Sequence, residues 1–229
     1  FFFGQNDYQT ARCQCDRCLK SAEENGGYAG VNIRFLNRLM SEIRKWMAEE
    51  KIDRHIRMGT FAYQFTQNAP VTGSLKEGYK AVNDTVVPDK DLFIRIAVSE
   101  NEYYSLFDER QDQGIRIKFA SWSALTENLM VWTYEMNAYE YVWYFPTVNK
   151  FAENIRKFEE YGVIYAMLQH NYNGYGSWQA DMHTYVGAKL LWNPYRSTEE
   201  LIDEYITLYY GSAADDVRKF IDEFDAHYE

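Results

Sequence analysis

Several common features are scarce in this sequence, and each scarcity excludes a class of protein. Only three cysteines occur among 229 residues, and an odd number so close together excludes a disulfide framework. No basic run exceeds a couple of residues and the net charge is −10, which argues against nucleic-acid or anionic-membrane partners. No apolar run reaches the length of a transmembrane helix. Hydrophobic residues at 46% and charged residues at 25% are ordinary for a soluble globular protein.

Nucleotide-binding motifs are also missing. No G-x-G-x-x-G sequence follows a predicted strand and no Walker A sequence is present, so dinucleotide and P-loop functions lose their main support. The sequence shows no signal peptide and no initiator Met, and it opens on Phe1-Phe2-Phe3-Gly4, which predicts the buried end of a strand. We therefore expect a longer polypeptide with its targeting segment and first strands upstream.

Aromatic residues, in contrast, are abundant. Twenty Tyr, fourteen Phe and six Trp make up 17% of the chain. Most must serve core packing, but many lie near predicted strand ends or in loops, where flat rings can stack on sugars or other planar ligands.

Hydrophobic periodicity predicts strands that alternate with helices, and therefore an α/β fold with a mostly parallel sheet. The predicted strands cover residues 1–4, 55–63, 92–98, 129–135 and 162–169. The predicted helices cover 30–51, 114–125, a segment that Pro146 approaches and that runs to 161, 179–192, 197–210 and a last one from 212. Helix 30–51 is predicted from a stripe of apolar residues at spacings of three and four, which neighbouring apolar residues widen: Ile33, Leu36, Met40, Ile43 and Met47, with Phe35, Leu39 and Trp46 beside them. Five strands fit an open doubly wound sheet or the C-terminal portion of a (β/α)8 TIM barrel. In the barrel, residues 1–195 form the partial barrel and 196–229 are extra helices packed on it.

Three carboxylates are predicted at the carboxyl ends of strands, where parallel-sheet proteins form their sites. Asp7 follows Asn6 after the first strand, Glu100 follows the third, and Glu135 ends the fourth. Each has a simpler interpretation, because Asn-Asp pairs favour turns and Glu is usually a solvated loop charge.

The three cysteines form the sequence Cys13-x-Cys15-x-x-Cys18, which can supply three thiolates to a structural zinc. Tetrahedral zinc needs a fourth ligand, for which Asp7, Asp16 or a distant His is a candidate. The alternative is that the thiols are free or locally bridged and cap a loop. No cofactor is required for the chemistry considered below.

Short segments along nearly the whole chain carry a resemblance to a known family. They are Gln5-Asn6-Asp7 with the three cysteines, Phe35-Leu36-Asn37, Phe61-Ala62-Tyr63, Val131-Trp132-Thr133-Tyr134, Phe145-Pro146-Thr147-Val148, the segment from Ala188 to Pro194, and the segment from Tyr209 to Ala214. In these the sequence resembles the bacterial domain-of-unknown-function family 4838, which is similar to α-glucuronidases and β-hexosaminidases. The resemblance implies a glycosidase-type TIM barrel completed by an upstream part of the same polypeptide. It also implies exported proteins of polysaccharide-degrading bacteria, located in the periplasm, at the cell surface or outside the cell.

The sequence departs from the family pattern in two places. Thr133 stands where relatives commonly have an acidic residue, and the loop after Val98 lacks the His- and Cys-bearing pattern of relatives. A missing carboxylate is a common way for a hydrolase fold to become a binding fold.

Glycoside hydrolysis usually needs two carboxyl groups that flank the bond. Because side chains alternate along a strand, Glu135 points to the same side as Thr133 and can replace the missing acid, with Asp7 as its catalytic partner. In a hexosaminidase-like alternative the acetamido group of the substrate is the nucleophile, and Asn6, Asp7 and Tyr134 have chemistry suited to assist it.

The sequence therefore predicts a glycoside hydrolase-like domain that acts on a glycan, either a glucuronide or an N-acetylhexosaminide. The predicted substrate-binding residues are polar or aromatic: Asn6, Tyr63, Glu100, Trp132, Tyr134, Trp143, Gln169, His170 and Trp178. The alternative is a catalytically inactive carbohydrate-binding or scaffold domain, which Thr133 favours. A metal-dependent enzyme that uses the cysteines lacks a fourth ligand and an open position.

Overall fold

A computed structural model describes residues 1–8, 10, 12–98, 105–110, 113–137, 139, 141–143, 145–171, 174, 176–177 and 179–228. The helices in these ranges are α1 (Asp16–Glu24), α2 (Tyr28–Glu49), α3 (Gly114–Ser123), α4 (Phe151–Glu160), α5 (Ala180–Trp192), α6 (Thr198–Tyr210) and α7 (Ala214–Tyr228). The strands are β1 (Met58–Ala62), β2 (Val71–Ser74), β3 (Gly78–Ala81), β4 (Leu92–Ala97), β5 (Leu129–Tyr134) and β6 (Val163–Gln169). None of these helices is both long and apolar enough to cross a membrane.

Four of the strands form one sheet in the order β1-β4-β5-β6. β1 and β4 are parallel, with Met58 opposite Leu92 and Ala62 opposite Ile96. β5 also runs parallel to β4. The N–H of Ile94 donates to the carbonyl of Asn128, and four residues later in each segment the N–H of Val98 donates to the carbonyl of Trp132. The α/β prediction is confirmed, and the barrel portion stays a prediction.

The predicted buried strand at the start of the chain is only partly correct. Phe2 forms a parallel bridge with Gly59 of β1, so backbone pairing does begin here. However, Phe1, Phe2 and Phe3 are exposed, because they lie beside β1 at the sheet edge. The Phe2 ring instead stacks against the guanidinium of Arg95, 4.4 Å from the ring centroid.

The segment that follows β1 contains Pro70, Gly73 and Gly78, residues that predict a loop, but it forms the antiparallel hairpin β2–β3. Gly73 and Gly78 have φ values of +117° and +78°, and a Cβ at Gly73 would lie 2.1 Å from the carbonyl oxygen of Gly78. Both glycines are therefore required by the hairpin geometry.

Helix periodicity predicted the buried faces well. In α2 the buried residues include Ile33, Leu36, Met40 and Met47, which all belong to the predicted stripe. The sequence Ser-Thr-Glu-Glu at residues 197–200 predicts the N-cap of α6, and the Ser197 side chain does accept a hydrogen bond from the N–H of Glu200. Gly211 ends the helix at φ +56°.

The chain divides into two compact units. The first unit comprises residues 1–97, 114–131 and 161–165, and the second comprises 98–113, 132–160 and 166–229. In the first unit the core includes Leu36, Ile94 and Trp122, and in the second it includes Phe151, Val186 and Leu201. The predicted boundary at residue 195 stays a prediction.

An ion-pair cluster lies in the first unit where β4 begins. The guanidinium of Arg44 donates to both oxygens of Asp89 and, at 2.8 Å, to Asp91, and His55 contacts Asp91 at 2.7 Å. The Arg44 hydrogen bonds lower the pKa of Asp89 below its usual value, although burial opposes this shift.

We expect this cluster to make unfolding pH-dependent. Because the folded-state pKa of Asp89 is lowered, its contribution is full above the unfolded pKa near 4 and is lost as pH falls through the folded value. Asp89→Asn should therefore lower the free energy of unfolding by about 1 kcal/mol at pH 7, and the difference from wild type should shrink below about pH 4. Urea unfolding of both proteins at pH 7 and at about pH 3 measures the difference in the free energy of unfolding.

The exposed Asp53 provides the matched control, since Asp53→Asn removes the same charge from the same unit without breaking the cluster. An Asp89→Asn deficit that persists unchanged at pH 3, or an equal deficit in Asp53→Asn, contradicts the prediction.

Candidate functional site

The strongest candidate site lies in the second unit, where β5 ends. Thr133 and Glu135 are both buried, Glu135 being only 2% exposed, and the Thr133 hydroxyl donates a short hydrogen bond to the Glu135 carboxylate. Side-chain alternation along the strand predicted this shared side, and the hydrogen bond confirms it. The bond fixes the orientation of a carboxyl group whose charged form burial would otherwise disfavour.

The end of β6 supports the end of β5. The N–H of Glu135 donates to the carbonyl of Gln169 at 2.7 Å, and the indole N–H of Trp132 donates to the Gln169 side-chain oxygen at 2.7 Å. The rings of Trp132 and Tyr134 are stacked with centroids 6.0 Å apart. These predicted site residues are therefore connected through Gln169, but alternation along β5 places Trp132 and Tyr134 on the side of the strand opposite Glu135.

His183 of α5, which is not among the residues predicted above, joins this group. Its ring is buried, lies edge-on to Phe151 and has its centroid 6.1 Å from that of His170, a predicted site residue. Burial is the main cause that lowers the pKa of His183, to about 3, and the neighbouring His170 also lowers it. A hydrogen bond with the backbone of Glu135 raises the pKa and partly opposes these two effects. His183 is therefore neutral at physiological pH and acts as a fixed dipole beside Glu135.

His170 has a similar environment. Burial lowers its pKa, and the charge of Asp181 partly offsets this effect. In the part of the chain that the structure describes, the Nδ1 atoms of His170 and His183 are both buried without a hydrogen-bond partner. A signal for His183 was present in the sequence, because it is the polar residue among Met182, Val186 and Leu190 on the buried face of α5.

The first unit holds a second group of predicted residues. Asn6 and Asp7 are exposed, and the Gln64 amide donates to Asp7 at 3.4 Å. Burial raises the pKa of Tyr63, and a hydrogen bond with Asp7 raises it further. The backbone of Gln64 has a left-handed φ of +53°, a strained conformation that is common at functional sites.

The remaining predicted residues are distributed differently. Trp143 is exposed in the second unit. Glu100 and Trp178 lie outside the described residues. Asp7 belongs to the first unit and Glu135 to the second, so their catalytic pairing stays a prediction.

The cysteines converge at the start of α1. The three Sγ atoms lie within 4.8 Å of one another, and those of Cys13 and Cys15 are 3.5 Å apart. A backbone hydrogen bond from Cys18, with a further bond from the Cys13 thiol, lowers the pKa of Cys15 to about 7. Hydrogen bonds with Cys13 and Cys15 raise the pKa of Cys18 to about 11.

Thiols with this spacing suit a soft divalent metal, and they provide three of the four ligands that zinc needs. No His, Asp or Glu joins them within the described ranges. The cysteines can therefore bind a metal, with one position left for another ligand.

Comparison with known proteins gives a match to a family. A family model described as "Domain of unknown function (DUF4838)" matches residues 1–222. No curated protein and no solved structure matches the chain.

Proposed function

The chain belongs to the DUF4838 family, and from this premise we propose that it is a glycoside hydrolase-like domain that acts on a glycan. The observation that carries the proposal is the oriented carboxyl group of Glu135 at the carboxyl end of β5. Enzymes with parallel sheets place their chemistry at this edge. The proposal includes export from the cell, which fractionation of the native bacterium would test.

In this proposal Glu135 is the general acid that protonates the leaving oxygen of the glycosidic bond. A buried carboxyl group is suited to this role because burial favours its protonated form. Asp7, or a carboxylate from the upstream part of the polypeptide, acts as nucleophile or base. The neutral His183 holds the backbone of Glu135 in place and carries no competing charge.

A specific observation favours a second candidate function, glycan binding without hydrolysis. Glu135 is 2% exposed and hydrogen-bonded to Thr133. In the part of the chain that the structure describes, its carboxyl group therefore faces other protein atoms rather than solvent. An acid that contacts a substrate oxygen must come within hydrogen-bond reach of it.

Hydrolysis of a panel of aryl glycosides by the full-length polypeptide separates the two candidates. The panel includes glucuronides and N-acetylhexosaminides, and release of the aryl group measures turnover. Turnover of one substrate class supports the hydrolase and identifies the sugar. Glycan binding without turnover of any substrate would support the binding domain instead.

We further propose that Cys13, Cys15 and Cys18 bind a structural zinc. Bound zinc would be held by their thiolates and would fix the loop before α1. We expect about one equivalent of zinc per chain after dialysis, measured by elemental analysis, and loss of most of it in Cys15→Ser. Zinc should also protect the thiols from a thiol-specific reagent at pH 7.

Asp16→Asn is the matched comparison, because it changes a carboxylate at the start of the same helix while keeping every thiol. Retention of zinc in this variant removes Asp16 as fourth ligand. Three reactive thiols and no retained zinc in the wild type would show that the cysteines are free.

A further inference from the structure

A pocket of about 270 Å³ lies in the second unit between the start of α5 and the end of α6. We call it the tyrosine pocket, after Tyr205, Tyr209 and Tyr210 on one wall, with Asn171 and Asp181 among its polar lining residues. Small-molecule sites usually have volumes of roughly 300–1,000 Å³. The tyrosine pocket is slightly smaller than this range, so it suits a single sugar ring better than a long segment of a glycan.

The tyrosines form a supported aromatic platform. Tyr205 is 8% exposed, and the ring of Tyr209 stacks on it with centroids 5.1 Å apart and an interplanar angle of 15°. Tyr210 meets Tyr209 edge-on at 5.0 Å. Tyr209 is nevertheless 62% exposed, so a fixed aromatic ring is open to a ligand. Preorganised rings of this kind bind flat apolar faces at low entropic cost.

The polar part of the tyrosine pocket is acidic. Asp181 is exposed, and among the described residues no hydrogen bond or ion pair engages its carboxylate. The described lining contains no Lys or Arg. The positive end of the α5 dipole favours negative charge here, but Asp181 in the first turn already supplies it. A ligand that brings a second carboxylate therefore meets a like charge without a cation to balance it.

A carboxylate acceptor beside an aromatic face suits an uncharged sugar, whose hydroxyl groups donate while its C–H face covers the ring. We propose that the tyrosine pocket is a subsite for one uncharged hexose ring, neutral or N-acetylated, and that it selects against uronic acids. This inference rests on the proposed glycan function and chooses between its two substrate classes. It favours an N-acetylhexosaminide or neutral glycan over a glucuronide.

Calorimetric titration of the purified full-length protein tests the subsite with methyl β-glucoside, N-acetylglucosamine and glucuronate. The two uncharged sugars should bind at least about tenfold more tightly than glucuronate, as expected when a second carboxylate is placed beside the charge of Asp181 without a cation to balance it. Tyr209→Ala should weaken uncharged-sugar binding by about tenfold, whereas Tyr209→Phe, which keeps the ring, should stay within about twofold.

Two further variants sharpen the test. Asp181→Asn should reduce the preference over glucuronate to about threefold or less, because it removes the repelling charge. Trp192→Ala is the control, since Trp192 is 92% exposed at the far end of α5, and its binding should stay within about twofold of wild type.

Glucuronate binding as tight as that of the uncharged sugars overturns the proposal, and so does equal weakening by Tyr209→Ala and Trp192→Ala. Failure to bind any of the three sugars overturns it as well. The hydrolase proposal can fail separately from the subsite. If no aryl glycoside is turned over but Tyr209→Ala still weakens sugar binding, hydrolysis is rejected and the subsite is retained.

Discussion

Turnover of the best aryl glycoside should fall at least about a hundredfold when Glu135 is replaced by Gln, the usual scale for loss of a general acid. Gln keeps the shape of Glu and can accept the hydrogen bond from Thr133, so the packing of this buried site is preserved. It has no proton to transfer to a leaving oxygen. The loss should therefore appear in kcat, with KM changed by about threefold or less.

A matched control exists in the same unit. Glu153 is an exposed carboxylate on α4 that accepts a hydrogen bond from Ser105, and Glu153→Gln should leave turnover within about twofold of wild type. Asp7→Asn tests the proposed catalytic partner and should also cost about a hundredfold. Full turnover in Glu135→Gln would exclude this carboxyl group as the acid, even if the protein proves to be a hydrolase.

The parts of the fold that periodicity predicted are those with long, regular patterns. The 22 residues of α2 contain several turns of apolar residues at spacings of three and four, and the predicted helix 30–51 is shifted by only two residues at each end. The hairpin β2–β3 has strands of four residues, too short for alternation to stand out from a loop. Helix α1 was missed because five of its nine residues are charged and only Ala22 is buried.

Side-chain type predicted burial less well than periodicity did. Phe35 and Trp46 were expected to widen the buried stripe of α2, yet both are more than half exposed. The cause is tertiary, because the width of a buried stripe is set by the elements that cover it. The Phe35 ring is in contact with the equally exposed Phe3, with centroids 5.6 Å apart.

In the candidate site too, contacts between residues close in sequence could be predicted, whereas contacts that depend on tertiary structure could not. Alternation within one strand places Thr133 and Glu135 on one side, and the spacing of the cysteines brings their thiols together, so both could be predicted. His183 meets Glu135 only because α5 returns to the end of β5, and that approach depends on tertiary structure. The tyrosine pocket likewise combines residues from α5, α6 and the segment after β6.

The largest expected loss of stability comes from Trp122, which is 1% exposed in the core of the first unit. Trp122→Ala should lower the free energy of unfolding by about 3–5 kcal/mol, because it leaves a cavity and removes the indole N–H that donates to the carbonyl of Gln67 at 2.9 Å. Trp122→Phe keeps most of the ring volume and should cost about 1–2 kcal/mol, mainly from the unpaired carbonyl.

Urea unfolding followed by circular dichroism measures both variants against Trp192→Ala. That control removes the same side chain from an exposed position and should change the free energy of unfolding by less than about 0.5 kcal/mol. Equal losses for Trp122→Ala and Trp192→Ala would contradict the buried position of Trp122. If Trp122→Phe costs as much as Trp122→Ala, the hydrogen bond to Gln67, rather than the filled volume, determines the contribution of this residue, because both variants lose the bond whereas Phe keeps most of the volume.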